Sequence, residues 1–536
     1  MSSPEMAQAE VRNVRPAARS EGSMGSLLEV DGRRGSSELR WWSLAVFLAG
    51  LVALGMFGYA QQLMHGDLVS GLRTIGQGGA AWGLYIVFDI TFVGLAFGGL
   101  VFMTVVRLFH LRALRPLSRM AQIMALISLG MAGLCVIADL GRPLQGLLNF
   151  PKYARPMSPF FGTFSLVTCT GCVATFIYLW LDSRADAATQ AARGGFLRPL
   201  HLLMAAGWRN TPAEAWRHKQ TSYLLALALL PFMLIGASTL GFVFGIQAAR
   251  PGWFGTLQAP GFVVLALISS MGVLTLIAAA ARRKPSLAAA IRPEIFGWLG
   301  NMMWILTAVY LYIVAIEELT ASYAASAVET RVADSLISGA YAVPFWTAMA
   351  CFVVPAVLLF LQFLRRRVSV ATTVICALLL NAAAIVKRLL IVVPSQTEGL
   401  LLPYPKGHYL PSWVELAVIG GLIALGVLAC LVFARLFPIV PLITLADERS
   451  VPHADERPKQ RASRLFLTGA TLCAGLALAV TGFLLSARFG TERWQDPLVP
   501  FSPILFISGM VLIFGSALVY ELLPDAGKRA PDPVNR

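Results

Sequence analysis

The side chains of this chain that could do chemistry stand where such groups are costly, inside or at the edges of long apolar runs. Asp89 interrupts "WGLYIVFDITFVGLAFGG", with Tyr85 four residues earlier on the same helical face. Asp139 and Arg142 close another run in "IADLGRP", Glu317 and Glu318 follow Tyr310 and Tyr312, Lys387 and Arg388 sit in "NAAAIVKRLLIVVP", and Glu415 opens a run after "YPKGHYLPSW". A carboxylate held among apolar groups suits proton exchange, a neighbouring cation stabilises charge as it develops, and a tyrosine can hold an oxygen. Ionisable groups in such positions are functional candidates by default.

The elements that must position them are membrane helices. Apolar residues make up 57% of the 536, charged residues only 13%, and the mean hydropathy is +0.70, far outside the soluble globular range. A span needs roughly 20 apolar residues. That criterion predicts twelve, at 41–63, 82–108, 118–139, 159–181, 222–246, 260–281, 296–317, 341–364, 369–393, 412–437, 464–487 and 501–522. The longest connection is the loop 182–221. The tail 1–40 lacks a cleavable signal pattern and is expected to be disordered. Most of the 43 Lys and Arg fall in the tails and even-numbered loops, so both termini are expected in the cytoplasm. The net charge of +15 is then a topology signal, and no nucleic-acid partner is expected. On this orientation the candidate residues share one layer near the outer face, while the middle and inner parts of the spans hold little beyond Asn301 and Asn381.

Each candidate also has a structural reading. Asp139 and Arg142 can pair across one turn where Pro143 ends the helix. Glu317, Glu318 and Glu415 lie at a boundary that water reaches. Gly94 and Gly98 have the spacing that lets helices approach closely. None of the six histidines, at 65, 110, 201, 218, 408 and 453, falls at the middle of a span, where a bilayer haem b would take its ligands. The seven cysteines lie in apolar runs and read as small hydrophobes. Cys169 and Cys172 form an isolated CxxC, short of the four ligands of an iron-sulfur or zinc site. No metal site is expected.

The "DLGRP" ending the third span, "WGLYIVFD" with glycines behind it, "NAAAIVKRLLIVVP", and "YLPSWVEL" leading to "FPIVP" together resemble the polysulfide reductase membrane-subunit family, also called NrfD-like, in its ten-span branch. That branch holds the membrane quinol subunits of periplasmic hydrogenases, sulfur-metabolism complexes and alternative complex III. The resemblance covers about residues 41–441. It implies an all-α polytopic membrane protein with two related four-helix bundles, spans two to five and six to nine, flanked by one helix on each side. It further implies a haem-free subunit, without an iron-sulfur cluster of its own, in a respiratory or photosynthetic complex of the bacterial inner membrane. Such a subunit exchanges electrons between menaquinone or ubiquinone and a ferredoxin-like iron-sulfur partner on the outer face, next to a larger redox catalytic subunit. The basic linker 442–463, the extra helices within 464–522 and the tail 523–536 lie outside the pattern and are assigned no chemistry.

Quinol oxidation releases two protons with two electrons, so a carboxylate must reach a hydroxyl directly or through one water. On the resemblance, Asp89 and Asp139 are the proton-handling pair, Tyr85 a quinone hydrogen-bond partner and Arg142 the group orienting Asp139. Residues 142–159 would form a lid and part of the partner-docking surface. Glu317, Glu318, Lys387, Arg388 and Glu415 are a possible second polar cluster. A twelve-span secondary transporter is the alternative. Against it, "RLFHLRALRPLSR" lacks the Gly-Asp pattern of the major facilitator group, and paired broken helices are not evident.

Overall fold

A computed structural model describes residues 34–73, 78–153, 155–156, 158, 164–209, 211–323, 325–398, 407–440, 462–488 and 501–523. Twelve long helices carry the fold: α1 Arg34–His65, α2 Leu84–Leu108, α3 Arg115–Asp139, α4 Phe164–Ala192, α5 Pro212–Gly245, α6 Gln258–Arg282, α7 Pro293–Tyr323, α8 Ala342–Leu364, α9 Val370–Val392, α10 Trp413–Leu436, α11 Ala462–Arg488 and α12 Phe501–Leu522. Among the described residues there is no strand, and eleven helices are long and apolar enough to cross a membrane. The expected fourth span falls on α4, whose start borders residues outside the described ones.

Helices α2 to α5 pack as one bundle and α6 to α9 as a second, joined where α6 lies along α2 and α5. Small residues permit that seam. A Cβ at Gly98 would come within 2.5 Å of the Ala266 carbonyl on α6, so only glycine lets the two backbones approach. Asn381, half-buried mid-span on α9, donates to the Ala377 carbonyl of its own helix at 2.9 Å and fills the notch left by Gly272 of α6. The flanking helices do not stand apart. α1 and α10 pack on each other, with a Cβ at Gly55 meeting Gly421 Cα at 2.9 Å, and α10 continues onto α3.

Two expectations about the far end are corrected. The stretch 182–221 is not simply a loop: α4 continues to Ala192, a short helix spans Arg198–Ala205, and α5 begins at Pro212. Thr211 and Glu214 form a reciprocal N-terminal cap there, at 3.3 and 3.2 Å. Nor are the inner ends of the helices poor in ionisable groups. Asp182 binds Arg107 at 2.5 Å and His218 at 3.2 Å, and Arg119 pairs with Asp186, both almost inaccessible. Glu521 of α12 takes Arg184 at 2.8 Å and the other His218 nitrogen at 3.2 Å. With a carboxylate at each ring nitrogen, His218 satisfies both only as the imidazolium, a donor on both sides. Period and hydropathy hide this cluster because its polar residues flank the apolar windows, and only packing shows that they are buried and paired. The terminal hairpin α11–α12 is therefore tied into the first bundle: α12 packs on α4 and α5 and contributes a buried charge to their network.

Candidate functional site

At the opposite end, the start of α2 is held by side chains from distant parts of the chain. The first amides of a helix have no partner in it. Here the Leu84 N–H donates to Glu415 Oε1 at 2.6 Å and to the Tyr409 hydroxyl at 2.8 Å, and Tyr409 in turn donates to Glu415 Oε2 at 2.7 Å. The Ala81 and Trp82 amides both donate to Gln396 Oε1, at 3.0 and 3.1 Å. Glu415 is wholly buried and caps α2, so it stands with Tyr85 rather than with Lys387.

Next to Leu84 on α2, Tyr85 is also inaccessible and donates to Gln62 Oε1 at 2.7 Å. Gln62, in the last turn of α1, then donates to Asp67 Oδ1 at 2.9 Å and to the Ala138 carbonyl at 3.0 Å. A single amide thus joins α1, α2, the end of α3 and the turn Asp67–Ser70. Asp67 also lies against the "DLGRP" bend: a Cβ on Gly141 would meet Asp67 Oδ2 at 2.6 Å. Gly141→Ala has to push the Asp67 carboxylate aside and is expected to cost up to about 1 kcal/mol, read as a slightly lower thermal midpoint of the detergent-solubilised protein. An unchanged midpoint would show that the bend yields.

Asp89 is buried on α2 and Asp139 half-buried at the end of α3, and the two are close enough for their charges to interact. Each has a carboxylate oxygen, Oδ1, that is inaccessible and lacks a hydrogen-bond partner among the described residues. Native interiors rarely leave such atoms unpaired, so each calls for a hydrogen-bond donor that the described residues do not supply. Tyr85 adds no free donor, since its hydroxyl proton is committed to Gln62. Arg142 is exposed, and no ion pair joins it to Asp139 among the described residues. The stretch after it forms a helix, Pro143–Tyr153, with Leu144 and Leu148 largely exposed. Part of 142–159 lies outside the described residues.

A second polar group sits at the same end of the other bundle. Lys387 is buried on α9, 5.8 Å from the Phe345 ring, within electrostatic reach of Glu317 and Glu318 of α7. Arg388, also buried, reaches α6 instead, donating to Ser269 Oγ at 3.1 Å, and the missing side chain of Gly94 leaves its guanidinium room. So the expected second cluster divides: Glu317, Glu318 and Lys387 together, Arg388 in the seam between the bundles, Glu415 at the cap of α2.

Gln62 and Asp67 escaped the sequence reading because they follow the apolar run of α1 in "QQLMHGD", where polar residues at a membrane boundary are unremarked. Tyr409 lies in the "YLPSW" stretch noted for its pattern alone. Among the described residues, no group of three or more His, Cys, Asp or Glu is arranged to hold a metal ion, and Cys169 and Cys172 are free thiols.

Comparison with known proteins bears on the same region. Residues 74–398 match the family described as polysulphide reductase, NrfD. A putative dimethyl sulfoxide reductase membrane subunit of Halobacterium salinarum is 29% identical over 412 residues, 73% of this chain and 90% of that protein. A selenate reductase subunit of Mesobacillus selenatarsenatis is 27% identical over 236 residues, 42% of this chain and 54% of its own. The probable Ni/Fe-hydrogenase 2 b-type cytochrome subunit of Escherichia coli is 24% identical over 391 residues, covering 71% and 89%.

Proposed function

Since the chain belongs to the polysulphide reductase NrfD family, whose members are membrane subunits of oxidoreductase complexes, we propose that it exchanges electrons between membrane quinone and an iron-sulfur subunit docked at the Asp139 end of the helices. The observation that carries this reading is the pair of buried, unpartnered carboxylate oxygens on Asp89 and Asp139. They fit the two-proton chemistry of a quinol, which supplies the electrons. A twelve-span transporter has nothing comparable in its favour.

The division of labour follows from the contacts. Asp89 and Asp139 accept protons from quinol hydroxyls, and Asp139, at the helix end, passes them outward. Tyr85 and Gln62 act as positioning groups, fixing α1 and α2 against the backbone that carries Asp139. Glu415 and Gln396 fix where α2 begins, and hence the height of Asp89. Arg142, being exposed, is assigned with the Pro143–Tyr153 helix to the docking surface for the iron-sulfur partner, which in turn meets a larger catalytic subunit.

Haem is left out on ligand grounds. His65 ends α1, His110 is exposed in the turn after α2, His201 approaches the Leu436 carbonyl at 3.3 Å, and His218 is held by two carboxylates. His408 lies in a connection, and His453 falls outside the described residues. The subunit expressed alone is therefore expected to lack a stoichiometric b-type absorption spectrum; finding one would overturn the haem-free assignment.

Basic loops put the Arg107 end in the cytoplasm, so the Asp139 end faces outward. From Asp89 to Arg107 along α2 is about 27 Å, and between them lie buried Val93, Leu95, Ala96, Phe97, Leu100 and Met103. The threonines there turn back on their own helix, Thr91 to Val87 at 2.7 Å and Thr104 to Val101 at 2.9 Å. Helix α2 itself thus offers no polar chain between the two charged layers, which supports release of the protons outward. The complex, reconstituted in liposomes with a pH dye on each side, tests this. Acidification of the outward-equivalent compartment during quinol oxidation is expected. Release on the other side, or an iron-sulfur subunit bound to the basic loops, would show that the mechanism faces the other way.

A further inference from the structure

Away from that site, at the Arg107 end of the second bundle, α7, α8, α9 and the turn between α8 and α9 line an open groove of about 450 Å³. Apolar Phe296, Leu359 and Phe363 line it together with polar Gln362, Arg366 and Arg367. The volume lies within the roughly 300–1,000 Å³ typical of small-molecule sites.

Three features bear on what it could hold. Gln362 Nε2 is a buried donor with no partner among the described residues, although the same side chain is fixed by accepting the Ser369 N–H at 2.8 Å. Arg366 adopts φ +50°, a left-handed conformation unfavourable for a residue with a long side chain, which turns the chain sharply between α8 and α9. Neither Arg366 nor Arg367 has an acidic partner among the described residues, so two exposed arginines line one space without a counter-charge. The surroundings are those of a membrane boundary. Phe360, Phe363 and Leu364 are exposed beside the groove, where hydrocarbon would begin.

We propose that this groove binds an anionic phospholipid of the cytoplasmic leaflet, its phosphate held by Arg366 and Arg367 and an acyl chain lying along Phe296, Leu359 and Phe363. Arginine matches phosphate with paired donors, and basic pockets between membrane helices suit acidic headgroups. A free phosphate would use the same donors but leave the apolar residues uncovered. The site lies at the end of the bundle remote from Asp89 and Asp139, and the proposal does not depend on the redox reading, except that both place the basic end in the cytoplasm.

The test is native mass spectrometry of the full-length chain, purified within its complex and delipidated, then titrated with phosphatidylglycerol, phosphatidylcholine or inorganic phosphate. Retention of phosphatidylglycerol over phosphatidylcholine is expected. Arg366→Gln with Arg367→Gln should weaken it by roughly thirtyfold, while Arg366→Lys with Arg367→Lys keeps most of it. Gly300→Leu, which fills the groove without changing charge, should abolish retention too, and none of these variants should change quinol oxidation. Equal retention of phosphatidylcholine, undiminished binding in the glutamine variant, or displacement of the lipid by an equal concentration of inorganic phosphate would overturn the assignment.

Discussion

Replacing Asp89 or Asp139 by Asn is expected to lower quinol oxidation by about 10² to 10⁴, the range for removing a positioned acid-base group, while the complex still assembles. Asn keeps the volume, so packing around α2 and α3 should survive. What is lost is proton-accepting capacity at Oδ1, the atom left unpartnered on each residue. Two features of the result would distinguish proton handling from structural support. Thermal midpoints should stay close to the parent, because neither orphan oxygen holds another element in place. The double variant should be little slower than the worse single one, since groups acting on one substrate as a unit are not additive. Tyr85→Phe offers the contrast. It breaks the bond to Gln62 and so should lower stability as well as rate, its role being to position Gln62. Near-normal turnover in both aspartate variants would return them to the structural reading.

The second large effect is expected at the opposite end, and on stability. Asp186→Asn removes the charge that neutralises buried Arg119, leaving the Pro438 and Asp182 carbonyls, at 3.1 and 2.8 Å, and the new neutral amide oxygen to accept from it. Breaking a buried pair from one side costs about 3–5 kcal/mol, a large part of the roughly 5–15 kcal/mol that holds a typical fold together. The variant should accumulate poorly in membranes and melt early in detergent. Replacing both partners by residues of similar volume, Arg119→Met with Asp186→Leu, should recover much of the loss, because no uncompensated charge remains. Asp186→Asn melting like the parent would show that water reaches Arg119. Glu521→Gln extends the test to the terminal hairpin: with Arg184 and His218 deprived of their shared carboxylate, α12 should dock less firmly on α4 and α5, seen as faster proteolytic release of the hairpin α11–α12.

Much of this architecture is legible in the residues themselves, because bilayer solvation is a strong and simple constraint. About 20 apolar residues are needed to hide a helical backbone from water, and so the twelve runs of the sequence coincide with α1 to α12 to within a few residues, apart from longer extensions at α1, α4, α5 and α7. The same cost makes every ionisable residue in a run conspicuous, which is why Asp89, Asp139, Glu317, Lys387, Arg388 and Glu415 stand out before any folding is considered. Spacing along one helix cannot say which of these groups meet. The division of Glu415 from Lys387, the separate neighbours of Lys387 and Arg388, and the exposure of Arg142 depend on how helices rotate and cross. Nor could it identify Gln62, Asp67 and Tyr409, which lie at helix ends and connections where a polar residue is ordinary. The pairing of α1 with α10 and the burial of Glu521 between α4 and α5 join positions hundreds of residues apart. Such contacts arise only when glycine seams and buried charges are satisfied simultaneously across helices, a condition of the packed bundle that no single run of residues contains.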